Sequence, residues 1–261
     1  MQNKKQQLFI ILAAIFLTNA ILAELIGVKI FSLEETMGFR PVNLTILGYT
    51  LDFNLTAGVM IWPVVFITTD IINEYFGKKG VRKLSFIAVG CISYAFLMIL
   101  LVTELVPAQF WLDVNSQDLD GNPFNINFAF NKIYTQGLGI IVGSITAFLI
   151  GQLLDVIVFQ RLRKFTGEKM IWLRATGSTL VSQLVDSFVV LVLAFYLLAP
   201  EGSRWELSQV FSVATINYIY KFIVAILLTP LIYLGHYLID NYLGREESNR
   251  IKSEAAESNF T

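Results

Sequence analysis

Residues 57–105 read AGVMIWPVVFITTDIINEYFGKKGVRKLSFIAVGCISYAFLMILLVTEL, two apolar runs joined by a short basic link. A membrane-spanning helix needs about 20 mostly apolar residues, so each run is long enough to cross a bilayer. The link carries Lys78, Lys79, Arg82 and Lys83. Because short loops rich in Lys and Arg stay in the cytoplasm, we expect the link to lie on that side of a helical hairpin.

The composition of the whole chain is that of a membrane protein. Of its 261 residues, 55% are hydrophobic and 15% are charged, with a mean hydropathy of +0.63. A soluble domain carries about 25% charged residues. The net charge of −1 leaves no basic field for a nucleic acid. The chain has one Cys, Cys91, and one His, His236, which excludes an intrachain disulfide and metal sites built on several Cys or His ligands.

Apolar runs of spanning length predict an all-α integral membrane protein with six transmembrane helices. A single membrane domain would occupy residues 1–244, and a polar, frayed cytoplasmic tail residues 245–261. The predicted spans are Leu8–Ile30, Ala57–Phe76, Leu84–Leu105, Lys132–Val158, Thr176–Leu198 and Val210–Leu234.

The basic residues predict the orientation of these spans. In the six-span arrangement, 14 of the 19 Lys and Arg residues fall on one side, including Arg174 in the link between spans four and five. Both termini are therefore expected in the cytoplasm. A cleaved signal peptide ending near Ala20 or Ala23 is the alternative for the N-terminus. The apolar run continues past Ala23 to Phe31, which favours a span instead.

The first external loop shows alternating apolar residues on both sides of Gly48: Leu44 and Ile46 before it, Leu51 and Phe53 after it. Alternation around a glycine is typical of a short β-hairpin. We therefore predict a small external hairpin, with the role of a lid over the membrane domain.

Polar residues inside the spans are the candidate functional residues, because an ionisable group at the bilayer centre costs about 2.5–3.5 kcal/mol on insertion scales. Asp186 and Lys221 lie closest to the midplane, where the alternative is a structural ion pair. For Glu74 and Asp155 the alternative role is an anchor at the membrane interface. For Asn19 and the two glutamines the alternative role is hydrogen bonding between helices. The candidate substrate-binding residues are Asn19, Asp70, Glu74, Gln152, Asp155, Gln183, Asp186, Asn217 and Lys221.

Spans four and five share a short pattern. Residues 151–155 read GQLLD and residues 182–186 read SQLVD, so each has a small residue followed by Gln, Leu and Asp. Gln and Asp three residues apart lie on one helical face. Because the two spans run in opposite directions, the pattern is consistent with an inverted repeat whose interface forms a binding site.

Three stretches resemble one known family. Residues 66–79 (FITTDIINEYFGKK) and 178–187 (STLVSQLVDS) are similar to the two signatures of the queuosine precursor transporters, formerly grouped as vitamin uptake transporters. Residues 218–221 (YIYK), followed by Thr229 and Pro230, are similar to the family's last-helix pattern. The resemblance implies six spans in the bacterial inner membrane and uptake of 7-deazaguanine bases such as 7-cyano-7-deazaguanine. The large first external loop departs from the family's minimal pattern.

The candidate residues suit such a ligand. A deazaguanine is planar and neutral, with ring N–H and amino donors beside a carbonyl. Asp186 can accept the two donors, and Gln183 or Lys221 can donate to the carbonyl. Four aromatic residues are candidates to stack on the ring: Trp62, Phe188, Tyr218 and Tyr220.

Two other functions remain open at this stage. A vitamin-binding subunit would depend on a separate ATP-driven module, since this chain has no phosphate-binding loop. An intramembrane enzyme would need a pair of acids such as Asp70 and Asp186, without support from a known catalytic motif. We expect no enzymatic activity, no cofactor and no metal. Proton coupling and facilitated diffusion both remain possible energy sources, and the oligomeric state stays open.

Overall fold

The computed structural model of the protein describes residues 2–135, 138–166, 170–199 and 201–257. Long apolar helices make up most of this part of the chain, as the apolar runs predict. The helices are α1 (Gln2–Ile26), α2 (Leu33–Thr36), α3 (Trp62–Thr103), α4 (Gln109–Val114), α5 (Ile126–Tyr134), α6 (Leu138–Thr166), α7 (Ile171–Leu191), α8 (Leu207–Leu243) and α9 (Arg245–Glu257). A 3₁₀ turn at Ala57–Met60 precedes α3, and a π-helical turn at Val192–Leu197 extends α7.

Five helices in the described ranges are long and apolar enough to cross a membrane. This is one fewer than the six predicted spans, because most of the predicted second span and most of the third belong to the single helix α3. Several predicted ends differ from the helix ends, two of them for a clear structural reason. The first helix stops at Ile26 since the chain turns into a strand at Ile30, and Lys132 belongs to the separate short helix α5.

Helix α3 is broken at Gly77, where φ is 67° and ψ is −173°. Only glycine adopts such backbone angles without strain. Beyond the break the chain folds back towards the preceding turn: a Cβ added to Gly80 would lie 2.7 Å from the Phe76 Cβ and 3.5 Å from the Ile72 Cγ2. In a straight helix, residues eight apart are separated by about 12 Å along the axis. The break therefore changes the direction of the chain sharply.

The loop between α1 and α3 forms two antiparallel strand pairs. The predicted hairpin is confirmed, with β2 (Leu44–Ile46) paired to β3 (Tyr49–Leu51) across Gly48, whose φ is 87°. A second pair, β1 (Ile30–Ser32) with β4 (Asn54–Thr56), closes the base of the loop.

The hairpin is attached to the N-terminal end of α8. The Ser212 hydroxyl donates to the Ile46 carbonyl at 3.0 Å, and the Tyr49 hydroxyl donates to Glu206 at 3.1 Å. These hydrogen bonds fix the hairpin against the membrane helices.

Residues 245–257 form the helix α9, so the expectation of a frayed tail is wrong for these residues; residues 258–261 lie outside the described ranges. Ile251 of α9 is fully buried in the main apolar core, which also contains Leu8 of α1 and Tyr75 of α3. On its outer side, Lys5 donates to Glu254 at 2.8 Å, and this hydrogen bond lowers the pKa of the Glu254 carboxyl. The sequence of α9 is mostly polar, but its few apolar residues lie on one face and pack against the core. This packing is the reason that the segment is helical.

A buried ion cluster joins α3, α6 and α7. The Arg174 guanidinium donates to both carboxylate oxygens of Glu74, at 3.1 Å and 2.7 Å, and Arg163 lies 3.6 Å from the same carboxylate. Arg163 also donates to the Lys252 carbonyl of α9 at 2.8 Å. Arg174 is 0% exposed. The assignment of Arg174 to the link between spans four and five is therefore wrong, because α7 begins three residues earlier, at Ile171.

Substitution of Gly77 by Ala is expected to destabilise the protein. An L-residue at this φ costs about 1–3 kcal/mol. We expect a lower midpoint of thermal unfolding for the purified protein in detergent. Gly90→Ala is the matched control, since a Cβ there meets nothing within 4 Å and alanine favours the helix. Equal midpoints for the two variants would contradict the strain argument.

Substitution of Arg174 by Met is expected to be more damaging. It leaves the Glu74 carboxylate buried with only the longer contact to Arg163, and breaking a buried pair costs about 3–5 kcal/mol. The yield of folded protein after detergent extraction measures the effect. The double variant Glu74→Gln with Arg174→Met should recover much of that yield, while Arg250→Ala, at an exposed ion pair, should have little effect. A double variant no better than Arg174→Met would refute the pairing.

Candidate ligand cavity

Two adjoining cavities lie between α3, α6, α7 and α8. Their empty volumes, with the space open to solvent included, are about 510 Å³ and about 400 Å³. The residues that line both are Trp62, Phe66, Thr179, Gln183 and Lys221.

Aromatic rings form one wall of the cavities. Trp62 and Phe66 are stacked, with ring centroids 5.8 Å apart and planes 16° apart, and Phe148 lies 5.5 Å from Trp62. Such flat surfaces favour a planar ligand. Of the aromatic residues predicted to stack on a ligand, Trp62 and Tyr220 line the larger cavity.

Tyr218 and Phe188 contact other rings instead. Tyr218 packs edge-on against Phe222 at 6.2 Å, and Phe188 packs against Phe211 at 5.3 Å. Neither residue is among those that line the two cavities.

An ion pair stands in the wall of the smaller cavity. Lys221 of α8 donates to the Asp186 Oδ2 of α7 at 2.6 Å, and the side chains are 16% and 21% exposed. The two midplane residues of the sequence are thus partners. Because both side chains also line the cavity, the pair can meet a ligand as well as join two helices.

Three further predicted residues carry a buried oxygen without a hydrogen-bond partner in the described part of the chain: Asp70 Oδ1, Asp155 Oδ2 and Gln183 Oε1. The residues are 3%, 5% and 4% exposed, and each lines at least one cavity. All three atoms are hydrogen-bond acceptors. An unpaired buried polar atom costs about 1–3 kcal/mol, so the cavity favours a ligand that brings donors.

The shared pattern of spans four and five meets at the smaller cavity. Gly151, Gln152 and Asp155 of α6 line it together with Ser182 and Asp186 of α7. A Cβ on Gly151 would lie 3.6 Å from the Asp186 Cβ, so the small residue brings the two helices close together. The amide and carboxylate of each helix therefore face a common space. Whether the pattern arose by duplication stays a hypothesis.

Three predicted residues do not line the cavities. Glu74 lies in the ion cluster with Arg174. The Asn19 amide donates to the Ile15 carbonyl of its own helix at 2.8 Å. Asn217 of α8 is partly buried away from both cavities.

The cavity walls contain hydroxyl groups, although no Ser or Thr is among the predicted substrate-binding residues. Thr179 lines both cavities, and Thr69 lines the smaller one, where its hydroxyl lies 3.3 Å from the Gln152 Oε1. Thr69 also donates to the Val65 carbonyl at 2.8 Å. Hydroxyl residues in membrane helices commonly bond their own backbone in this way. Their sequence therefore carries no signal of a cavity.

Comparison with known proteins places the chain in a family. Residues 56–235 match the family described as "Putative vitamin uptake transporter". A protein of Bacillus subtilis named probable queuosine precursor transporter is 29% identical over 78% of this chain and 83% of its own.

Two further relatives carry similar names. The probable queuosine precursor transporter of Haemophilus influenzae is 28% identical over 72% of this chain and 71% of its own. The queuosine precursor transporter of Escherichia coli is 27% identical over 67% of this chain and 70% of its own. No solved structure matches the chain.

These matches agree with the resemblance of the sequence motifs and with the apolar helices. The family match covers more than half of the chain, including α3, α6, α7 and most of α8. The protein is a transporter that crosses the bacterial inner membrane several times, and it belongs to the putative vitamin uptake transporter family.

Proposed function

We propose that this protein imports 7-deazaguanine precursors of queuosine, such as 7-cyano-7-deazaguanine, for use in tRNA modification. The observation that carries the proposal is a set of three buried acceptor oxygens, on Asp70, Asp155 and Gln183, that have no partner among the described residues and lie beside an aromatic wall. The names of the relatives support the same class of substrate for those proteins.

The chemistry of the base complements the cavity. Its ring N–H and amino group are donors that a carboxylate accepts in parallel, and its carbonyl accepts from an ammonium or amide. Asp186 uses Oδ2 for Lys221, so its Oδ1 can accept from the base. The Lys221 ammonium has further protons for the carbonyl. Trp62 and Phe66 offer a flat surface for the ring.

Direct salvage assays test the transport function. The measurement is queuosine in tRNA from a bacterial strain that cannot make the precursor, with and without this protein, at low external precursor. Formation of queuosine that depends on this protein supports import. The same assay in a host without vitamin-transport ATPase modules distinguishes a self-sufficient transporter from a subunit of an ATP-driven one. Absence of queuosine in every host would refute the proposal.

We also propose that the chain crosses the membrane six times, with both termini in the cytoplasm. A straight helix with the length of α3, 42 residues, would be roughly 63 Å long, about twice the hydrocarbon thickness. The reversal at Gly77, followed directly by Lys78 and Lys79, supports two crossings with a cytoplasmic turn. The C-terminal helix α9 would then lie on the cytoplasmic side.

Reporter fusions check this topology. We expect an alkaline phosphatase fusion at Ser116 to be active, since that loop lies outside, and one at Thr166 to be inactive. A green fluorescent protein fusion at each position should give the opposite pattern. Activity of the phosphatase at Thr166 would contradict the six-span arrangement.

Substitution of Asp186 by Asn tests the binding role of this carboxylate. Asparagine keeps the volume but replaces one acceptor oxygen with a donor, which opposes the donors of the base. Because unpaired buried groups cost about 1–3 kcal/mol, we expect uptake to fall about tenfold or more. The measurement is uptake of radiolabelled 7-cyano-7-deazaguanine per amount of protein in the membrane. Asp113→Asn, in an external loop, is the matched control.

A double variant separates binding from a purely structural ion pair. In Asp186→Asn with Lys221→Met, no unpaired charge remains at the pair, so the amount of folded protein should match the wild type. If the pair only joins two helices, uptake should return as well. We expect uptake to stay low, because the groups that contact the base are missing. Normal uptake in the double variant would reject the binding role of Asp186.

A further inference from the structure

We propose that Asp70 and Asp155 form a cation subsite, separate from the Asp186–Lys221 pair, that holds one monovalent positive charge in each transport cycle. The inference rests on the proposed import function and adds that each import event requires one bound positive charge. The positive charge has two possible sources with the same chemistry: a co-transported proton or sodium ion, or an ammonium group on the ligand.

The geometry places both carboxylates in cavity walls. Asp70 of α3 lines the larger cavity and Asp155 of α6 lines the smaller one. Both are more than nine-tenths buried, and each has one oxygen without a partner among the described residues. Gln183 of α7 lines both cavities and adds a third oxygen without a partner in that part of the chain. Three acceptor oxygens on three helices thus lie in the walls of two adjoining cavities that share Gln183.

The nearby cations of the protein are already engaged. Arg163 and Arg174 pair with Glu74, and Lys221 pairs with Asp186. Within the described ranges, neither Asp70 nor Asp155 has a Lys, Arg or His nitrogen within 4.0 Å. The Asp155 Oδ1 accepts a hydrogen bond from the Ser182 hydroxyl at 3.4 Å, and that donor is neutral.

Electrostatics then favours a bound positive charge. An ionised carboxylate without a partner is costly to bury, and each cavity has one such carboxyl group in its wall, Asp70 in the larger and Asp155 in the smaller. A positive charge bound beside them relieves this cost. The other charged side chains and the one imidazole on α3, α6, α7 and α8 are Glu74, Lys78, Lys79, Arg82, Lys83, Arg161, Arg163, Lys164, Arg174, Asp186, Lys221, His236 and Asp240. Glu24 of α1 faces α6, where the Ser144 hydroxyl donates to it at 2.7 Å.

A monovalent charge fits better than a metal dication. No group of three or more His, Cys, Asp or Glu side chains among the described residues can hold a metal ion. Two carboxylates and one amide oxygen provide too few ligands for calcium, which takes six to eight. A proton, a sodium ion or an ammonium group needs fewer oxygen ligands than calcium.

The test uses the full-length protein in proteoliposomes. Exchange of radiolabelled 7-cyano-7-deazaguanine across the membrane, without any gradient, first establishes that the protein carries the base. Absence of exchange refutes the proposed function itself, before the cation subsite is tested. Proton and sodium gradients are then imposed separately, with the membrane potential clamped, and initial uptake of the neutral nitrile is measured.

One of two results supports the subsite. If the charge is a co-transported ion, an inward tenfold gradient of that ion should raise uptake of the nitrile by up to about tenfold, because such a gradient supplies about 1.4 kcal/mol. If the charge belongs to the ligand, the analogue with a protonated aminomethyl group at position 7 should compete with the nitrile at concentrations about tenfold lower. Exchange of the base with neither a gradient effect nor a preference for the charged analogue overturns the proposal.

Variants assign the effect to the two residues. Asp70→Asn and Asp155→Asn should each abolish the gradient effect or the preference for the charged analogue. Asp120→Asn, in the second external loop, should keep both. The same effect at full size in both cavity variants would overturn the assignment. The wild-type measurements decide between presence and absence of the subsite even if a variant fails to fold.

Discussion

The buried contact between Arg174 and Glu74 is the interaction on which the rest of the structure depends. It joins the start of α7 to the part of α3 that precedes Gly77. Arg163 of α6 lies near the same carboxylate and also donates to the Lys252 carbonyl of α9. Charges buried so completely are stable only when each has its partner, since an unpaired one would cost several kcal/mol. Ion pairs therefore hold helices that line the cavities together at one end, and removal of Glu74 or Arg174 would leave the other charge buried without its closest partner.

The cavities show a different use of charge from the ion cluster. In the cluster, one carboxylate meets two guanidinium groups and is fully satisfied. In the cavities, Asp70 and Asp155 each have an oxygen without a partner in the described ranges, and the Asp186–Lys221 pair is partly exposed. Asp70 and Glu74 are four residues apart in one helix and differ in this respect: Glu74 has two arginine partners, whereas an Asp70 oxygen has none among those residues.

Much of the membrane domain could be predicted from the sequence because hydrophobic thickness sets the length of an apolar run. The ionisable residues of the cavity could also be found, since a charge in a bilayer is rare and costly. The sequence could not separate Glu74 from Asp70, because both are acids on the same span and only packing gives one of them an arginine. Arg174 was misplaced for a related reason: a basic residue near a helix end has the same pattern whether it is solvated or buried.

Neither the helix α9 nor the role of hydroxyl groups in the cavity walls could be predicted from the sequence, for other reasons. Apolar residues such as Ile251 are few in α9, and their burial depends on a surface formed by α1 and α3. Thr69 and Thr179 look like ordinary helix residues. In both cases the decisive contact is between segments distant in sequence.

The link between the external hairpin and α8 has a practical consequence. Ser212 and Glu206 tie the hairpin to the same helix that carries Lys221 into the cavity wall. The hairpin is thus an extension of the N-terminal end of α8. An antibody fragment raised against the hairpin would hold that end of the helix, and would give a small membrane protein a defined handle for particle alignment in electron microscopy.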